Sequence, residues 1–368
     1  MTPLTGTVVL ELAGLFPGPY CTSLLWSLGA EVWKIERIGS GDPSRRMPDL
    51  FASINAGKKS LALNLQCEEG KSILRRMAER ADVVVEGFRP GVAAHLGVDY
   101  TSLRSITPSL VYCSISGFGQ DGPYCNKPGH DINYQALSGA LSGALSGGPA
   151  KSAADLNPFP IADMSSGLFA AFEIMSALLE CERTGQGSYI DLSMTDGVFT
   201  WTQMYSRMCL PGSLLETPTG STHISRLLPH YGLFEASDGG YIALGIVDED
   251  EFWKTLCSSL GLVEYTELGF AARIRMRDEI EDTLQRVFRQ KTRADWLALF
   301  AHTSVPITPV NSTEQAIQDP QLAFRRQVAK IPNTPPRLGQ DTRQALETLG
   351  YREDQIHMLT SAGVIQAS

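Results

Sequence analysis

A chain of 368 residues, 43% hydrophobic and 19% charged, is long enough for two domains and has a globular rather than a disordered composition. A net charge of −9 argues against nucleic acid as a partner. Seven scattered cysteines without a C-x-x-C pair, no basic N-terminal region and no unbroken apolar run of spanning length predict a reduced, cytoplasmic protein. They predict no metal centre, disulfide framework or membrane contact.

Thr7 to Leu12 reads as a short buried strand. The turn Ala13-Gly14-Leu15-Phe16-Pro17-Gly18-Pro19 follows, then a helix to about Leu28 and a second strand from Glu31 to Glu36. A strand–helix–strand unit implies parallel pairing with a right-handed crossover. Glu36 stands where an acidic ligand of an NAD ribose would lie. The preceding turn lacks G-x-G-x-x-G, however, and Arg37 follows at once, which argues against an NAD site. Basic residues accumulate at Arg37, Arg45, Arg46, Lys58 and Lys59. In an acidic chain such a cluster near strand ends suits an anionic ligand, although Arg45 and Arg46 also fit a solvated loop. Ser60–Leu65, Asp82–Glu86 and Leu110–Ile115 read as further strands, with a helix over Glu68–Arg80. This alternation predicts a Rossmann-like open parallel sheet, with its ligand at the strand C-terminal ends.

Pro128-Gly129 is turn chemistry and Asp131 a good N-cap, with Leu137, Leu141 and Leu145 at four-residue spacing. Farther on, Pro160 breaks the chain and Asp163 is expected to cap a second helix. Leu168, Ala171, Phe172, Met175 and Leu179 line one face of that helix. His130 and Asp163 thus bring an imidazole and a carboxylate to two helix starts. The positive helix end disfavours imidazolium and stabilises an anion. Small residues after Asp163 are expected to leave N–H groups for a negative oxygen. The plainer alternatives are a simple cap at Asp163 and a structural His–Asp pair at His130.

Ser138 to Gly148 suits a helix with a small-residue face. Ser188–Ser193 is a strand, and the Phe199, Trp201, Met204 and Met208 helix after it reads as core. A shift to Pro, Gly, Ser and Thr marks a linker over 201–230. Tyr231–Glu235 and Tyr241–Ile246 form a hairpin, and helices near Glu251–Leu260, Asp278–Arg289 and Arg293–Ala301 complete a smaller α+β domain over 231–310. A return linker, 311–324, leads to a tail, 325–368, with a helix around Asp341–Leu349. The acidic run Asp248-Glu249-Asp250-Glu251 is favourable charge at a helix N-terminus.

Gly129-His130-Asp131-Ile132-Asn133-Tyr134, followed by Asp163 before a small-residue helix start, resembles the α-methylacyl-CoA racemase branch of the family III CoA transferases. Glu11-Leu12-Ala13-Gly14, Lys34-Ile35-Glu36-Arg37 and Gly87-Phe88-Arg89-Pro90-Gly91 resemble family segments as well. The resemblance implies a large domain, 1–200 completed by 325–368, and two chains interlocked as a ring homodimer. It implies an acyl-CoA substrate, no cofactor beyond coenzyme A itself, and a place in fatty-acid metabolism. It implies that His130 and Asp163 are the catalytic acid/bases and that Glu249 orients the histidine, with Asp248 competing for that match. Leu15, Arg37, Lys58, Lys59, Leu63, Leu65, Arg89 and Tyr134 are carried over as neighbours of coenzyme A. His95 stands near where that branch has an arginine. In the transferase branch the same Asp is a nucleophile and the His position usually differs. A CoA-binding protein without chemistry is the third class considered.

Overall fold

The computed structural model describes residues 2–141, 159–209, 228–326 and 334–367. Leu145, most of the Ser138–Gly148 stretch and the linker from Pro211 to Ser225 and beyond to position 227 lie outside them. The described residues divide into two compact units, one holding 2–140, 159–203 and 334–367, the other 141, 204–209 and 228–326.

The first unit is built on a seven-stranded sheet in the order β10-β3-β2-β1-β4-β5-β6. Its strands are β1 (Val8–Leu12), β2 (Glu31–Arg37), β3 (Lys59–Leu63), β4 (Val83–Glu86), β5 (Val111–Ser116), β6 (Tyr189–Ser193) and β10 (Ile365–Gln366). All pairings are parallel except β10 on β3. The 3-2-1-4-5-6 order reverses between β1 and β4, and in open parallel sheets that reversal is where ligands bind.

Strand alternation sends Val9, Val32, Val83, Val85 and Val111 to one face. There they meet Cys21 and Leu25 of the helix Pro17–Ser27 and Ala170, Ala171 and Ile174 of the helix Ile161–Thr184. Leu10, Leu12, Trp33, Ile35, Leu61 and Leu63 point the other way, onto Ile73, Leu74, Leu346 and Ile356. Gly167 allows the first two helices to touch, because a Cβ there would lie 2.7 Å from the Pro17 carbonyl oxygen. The helix Ile161–Thr184 is long and apolar enough to cross a bilayer by length and composition alone. Within this fold its buried stripe forms part of the sheet's core.

The rest of that helix corrects the sequence reading. Leu168, Phe172 and Leu179 are 50, 63 and 50% exposed, so of the stripe read from the sequence only Ala171 lies in the core and the larger side chains face outward. Phe199, Trp201 and Met204 of the helix Met194–Cys209 are exposed as well. The sequence pattern identifies an apolar face but not whether the same chain covers it.

The second unit carries the antiparallel sheet β7 (Tyr231–Glu235), β8 (Tyr241–Gly245) and β9 (Ile307–Pro309). Trp253, Leu284, Phe288, Trp296 and Phe300 form its core. The stretch expected as a return linker contains two short helices, Thr313–Gln318 and Pro320–Arg326. Ser312 and Gln315 cap the first of them reciprocally.

Candidate active site

At the β1–β4 switch point lies a cavity of about 580 Å³. The C-terminal ends of β1, β2 and β3 supply Leu12, Ile35, Glu36, Arg37 and Leu63, and the following loops supply Ala13, Gly14, Asp42, Pro43, Leu65 and Phe88. Its walls are mostly apolar, with Arg37 exposed at the edge. Arg37, Leu63 and Leu65 thus line one cavity. Leu15 follows Gly14 and stands at φ +62°, a left-handed conformation unusual for a non-glycine residue. His95 is exposed on the short helix Val92–Leu96, one residue before the cavity-lining Leu96.

Glu36 lines the cavity but is not free to hold a ribose. Arg45 grips it through Nε and Nη2, both at 2.7 Å, and Ser60 Oγ donates to it at 2.6 Å. Arg45 thus belongs to this clamp rather than to a solvated loop.

The two lysines assigned to phosphate are placed elsewhere. Lys58 is fully enclosed and donates to Glu11 Oε2 at 2.7 Å, Pro19 O at 2.8 Å and Asn55 Oδ1 at 2.9 Å. Lys59 begins β3, at the end of the sheet away from the cavity. It pairs with Glu31 and covers the Trp33 ring. A strand sends neighbouring side chains to opposite faces, so two adjacent lysines cannot share one ligand easily.

Glu11 and Lys34 are register partners in the middle of β1 and β2 and meet at 2.5 Å. Lys34 also reaches Asp42 at 2.7 Å. Burial pushes the Glu11 carboxyl up, but Lys34 and Lys58 outweigh it and hold the group below the usual carboxylate range. Burial pulls the Lys58 ammonium down to about 8, against the attraction of Glu11.

The second locality is built from helix starts. His130 is itself the N-cap of the helix Asp131–Leu137, one residue earlier than expected, and Asn133 Oδ1 accepts its backbone N–H at 3.0 Å. The His130 residue is exposed. Asp163 is not a cap either. Its helix begins at Ile161, which puts Asp163 in the first turn. The capping function is supplied from a distance by Asp131, whose Oδ1 accepts from the N–H groups of Ala162 at 2.7 Å and Asp163 at 3.2 Å.

This crosslink ties the residue after His130 to the backbone of Asp163. Of the N–H groups after Asp163 expected to serve a negative oxygen, that of Met164 is taken by the Pro160 carbonyl at 2.9 Å. Asp163 is partly buried beside a second carboxylate. Burial first, and Asp131 second, push its carboxyl up to about 7.

Tyr134 is buried against Phe118 and donates its hydroxyl to Gly129 O at 2.6 Å. Burial and the Asp163 charge raise its pKa, and Arg89 opposes them, so these three side chains share one electrostatic neighbourhood. Arg89 is exposed there. Glu249 lies in the second unit as the N-cap of the helix Asp250–Leu260. Its own carboxylate accepts the Val247 N–H at 2.8 Å. Asp248 is exposed beside it.

A sheet parallel but for one edge strand, with a ligand-sized cavity at its strand ends, and a helix-start carboxyl that burial and a second carboxylate push up to about 7, are features of an enzyme-like α/β protein. The model for CoA-transferase family III matches residues 4–348, and the chain belongs to that family. It is 34% identical to human alpha-methylacyl-CoA racemase over 99% of this chain and 98% of that protein. It is 31% identical to the mouse succinyl-CoA:glutarate CoA-transferase over 100% and 91%. Among solved structures it resembles a CAIB/BAIF family protein from Brucella suis. That match has a TM-score of 0.82 and 30% identity and covers 95% of this chain and 99% of that one. Members of this family named among its relatives are CoA-thioester enzymes, both racemases and transferases.

Proposed function

We propose that the protein is an acyl-CoA 2-epimerase acting on 2-methylacyl-CoA thioesters by proton transfer through an enolate. The observation that carries this reading is the Asp131 link, which ties the residue after His130 to the backbone of Asp163, whose carboxyl burial and Asp131 push up to about 7. Such a group is close to half protonated at neutral pH, so it can both take and return a proton. One residue removes the α-proton, the electron pair moves into the thioester carbonyl as an enolate, and the other residue delivers a proton to the opposite face. The nucleotide end of the thioester occupies the β1–β4 cavity, its base against Leu63 and Leu65 and its phosphates toward Arg37 and Arg89. No cofactor beyond coenzyme A takes part.

A homodimer belongs to the same proposal. The outward stripe Leu168, Phe172, Met175 and Leu179, with Phe199 and Trp201, is apolar surface of the kind that a second chain covers. Glu249 then orients His130 across the dimer, in a ring-like assembly placed in the cytoplasm.

The similarity to a transferase supports a second reading. In it, an Asp163 carboxylate attacks the thioester carbonyl, expels CoA thiolate and leaves an anhydride. The thiolate attacks the Asp163 carbonyl and releases the donor carboxylate. The acceptor carboxylate displaces the thiolate to form a second anhydride, and thiolate attack on its acceptor carbonyl gives the new thioester and frees Asp163. Incubating each enantiomer of a 2-methylacyl-CoA in D₂O, with and without a carboxylate acceptor, separates the two. Deuterium entering the α-carbon with loss of chirality and without an acceptor is the expected result. A hydroxylamine-sensitive adduct on Asp163 without deuterium entry would favour the transferase and reduce His130 to a helix cap.

A further inference from the structure

The buried charges under the cavity touch the loop that walls it, and the helix turn after it, at three places. Lys34 Nζ donates to the Ala13 carbonyl at 3.1 Å, and Lys58 Nζ donates to the Pro19 carbonyl at 2.8 Å. Between them, Asp42 Oδ1 accepts the Leu15 N–H at 3.1 Å. Two of these contacts fall on the loop Ala13–Phe16, and the third on the first turn of the helix Pro17–Ser27 that follows it.

The middle contact holds the conformation least likely to persist unaided. Leu15 is the non-glycine residue with positive φ among the described residues. A leucine stays in that region when its surroundings over-determine it. Asp42 is itself fixed, by the Lys34 ammonium at 2.7 Å and by the Ser44 N–H and hydroxyl, both at 2.7 Å.

The network is closed and charge-balanced. Glu11 gives one oxygen to Lys34 and the other to Lys58 and Thr22, so two cations meet two anions. The side chains of Glu11, Lys34, Lys58 and Asp42 are 0 to 1% exposed, so the charges have no direct access to solvent. Ala13, Gly14, Asp42 and Pro43 nevertheless form part of the cavity wall. The network thus holds the backbone of a segment whose Ala13 and Gly14 line the cavity, on both sides of Gly14.

We propose that Asp42, held by the Lys34–Glu11–Lys58 network, is a positioning residue that keeps Leu15 in its left-handed conformation and thereby sets the affinity of the cavity for its ligand. The ligand half of this proposal rests on reading the cavity as a coenzyme A site. The network gives Lys58 a task other than the phosphate contact expected of it.

The test uses the full chain and free coenzyme A as the probe. Asp42→Asn keeps an oxygen for the Leu15 N–H and loses the charge that Lys34 holds, whereas Asp42→Ala loses both. Each is made with and without Leu15→Gly, because glycine adopts positive φ without help. Hydrogen exchange reads the Leu15 and Phe16 amides, and titration calorimetry reads coenzyme A affinity.

Asp42→Ala is expected to speed exchange at Leu15 at least tenfold and to weaken affinity about tenfold, with the β1 amides unchanged. Asp42→Asn falls between it and wild type. In the Leu15→Gly background the effect of either Asp42 variant on affinity shrinks to less than twofold. Should Asp42→Ala fail to fold, Asp42→Asn with and without Leu15→Gly decides the matter. Unchanged Leu15 exchange in the variants, or faster exchange with affinity held within twofold, overturns the proposal. A wild-type protein that binds no coenzyme A overturns the ligand half together with the site reading. The exchange measurement then still decides whether Asp42 holds the loop.

Discussion

Under the cavity, Glu11, Lys34, Lys58 and Asp42 are buried, but each anion has a cation within 2.7 Å. At the start of the helix Ile161–Thr184, Asp163 is partly buried beside another carboxylate, Asp131, which takes its backbone N–H. The same desolvation acts in both places. Lysine partners reverse its effect on Glu11, whereas a like charge adds to it at Asp163. Pairing keeps Glu11 ionised and holds backbone in place. An unpaired carboxyl near neutrality can exchange its proton, so one region is suited to holding a ligand and the other to moving a proton.

The largest effect expected from breaking this contrast is on chemistry. His130→Ala and Asp163→Ala should each reduce racemisation of a 2-methylacyl-CoA by roughly 10²–10⁴-fold, because each face of the enolate needs its own proton carrier. Either variant retaining exchange into a single enantiomer would identify which face it serves. Polarimetry together with mass spectrometry in D₂O gives both readings.

Breaking the paired region should instead cost stability. Lys34→Met leaves Glu11 and Asp42 buried with one cation fewer and should destabilise the fold by about 3–5 kcal/mol in urea titration. The Asp163 carboxyl behaves oppositely. Its folded value of about 7 lies above the ordinary 3.8, so its stabilising contribution is complete below about pH 3.8 and is lost as pH rises through 7. Asp163→Asn removes that penalty and should raise stability at pH 8 by on the order of 3 kcal/mol, with little change at pH 4. A variant equally stabilised at both pH values would mean that the gain is not the carboxylate's.

Smaller effects map the ligand. Arg37→Ala and Arg89→Ala should each weaken coenzyme A binding by roughly 1.5–3 kcal/mol, the value of a lost charged hydrogen bond. Lys59→Ala should leave that affinity unchanged and alter stability by less than about 1 kcal/mol, since its partner is the exposed Glu31. A large loss of affinity in Lys59→Ala would contradict its placement at the far end of β3.

The parallel sheet was readable because its strands are short apolar runs separated by turns and helix starts. The strands β9 and β10 were not, having three and two residues, too few to show a period. His130 and Asp163 stood out by residue type beside turn signals. The capping role of Asp131 did not, because the N–H groups that donate to it lie 31 and 32 residues away. Local spacing instead assigned Asp131 to its own helix and Asp163 to the cap. Lys58 and Lys59 were read together as neighbours in sequence, although the strand separates them. A usable signal for the paired network was present: Glu11 and Lys34 are opposite charges inside two adjacent apolar strands, where burial without pairing would be prohibitive.

The antiparallel strand β10 has a consequence for how the protein is made. It pairs Ile365 with Leu63 and Gln366 with Ala62, so the outer edge of β3 gains its neighbour only after roughly 300 further residues have been synthesised. Until then the nascent sheet presents an unpaired strand to its surroundings, while the second unit can already collapse around its own tryptophans. Premature termination shortly before Ile365 would leave that edge open permanently, and such fragments would be expected to associate through it.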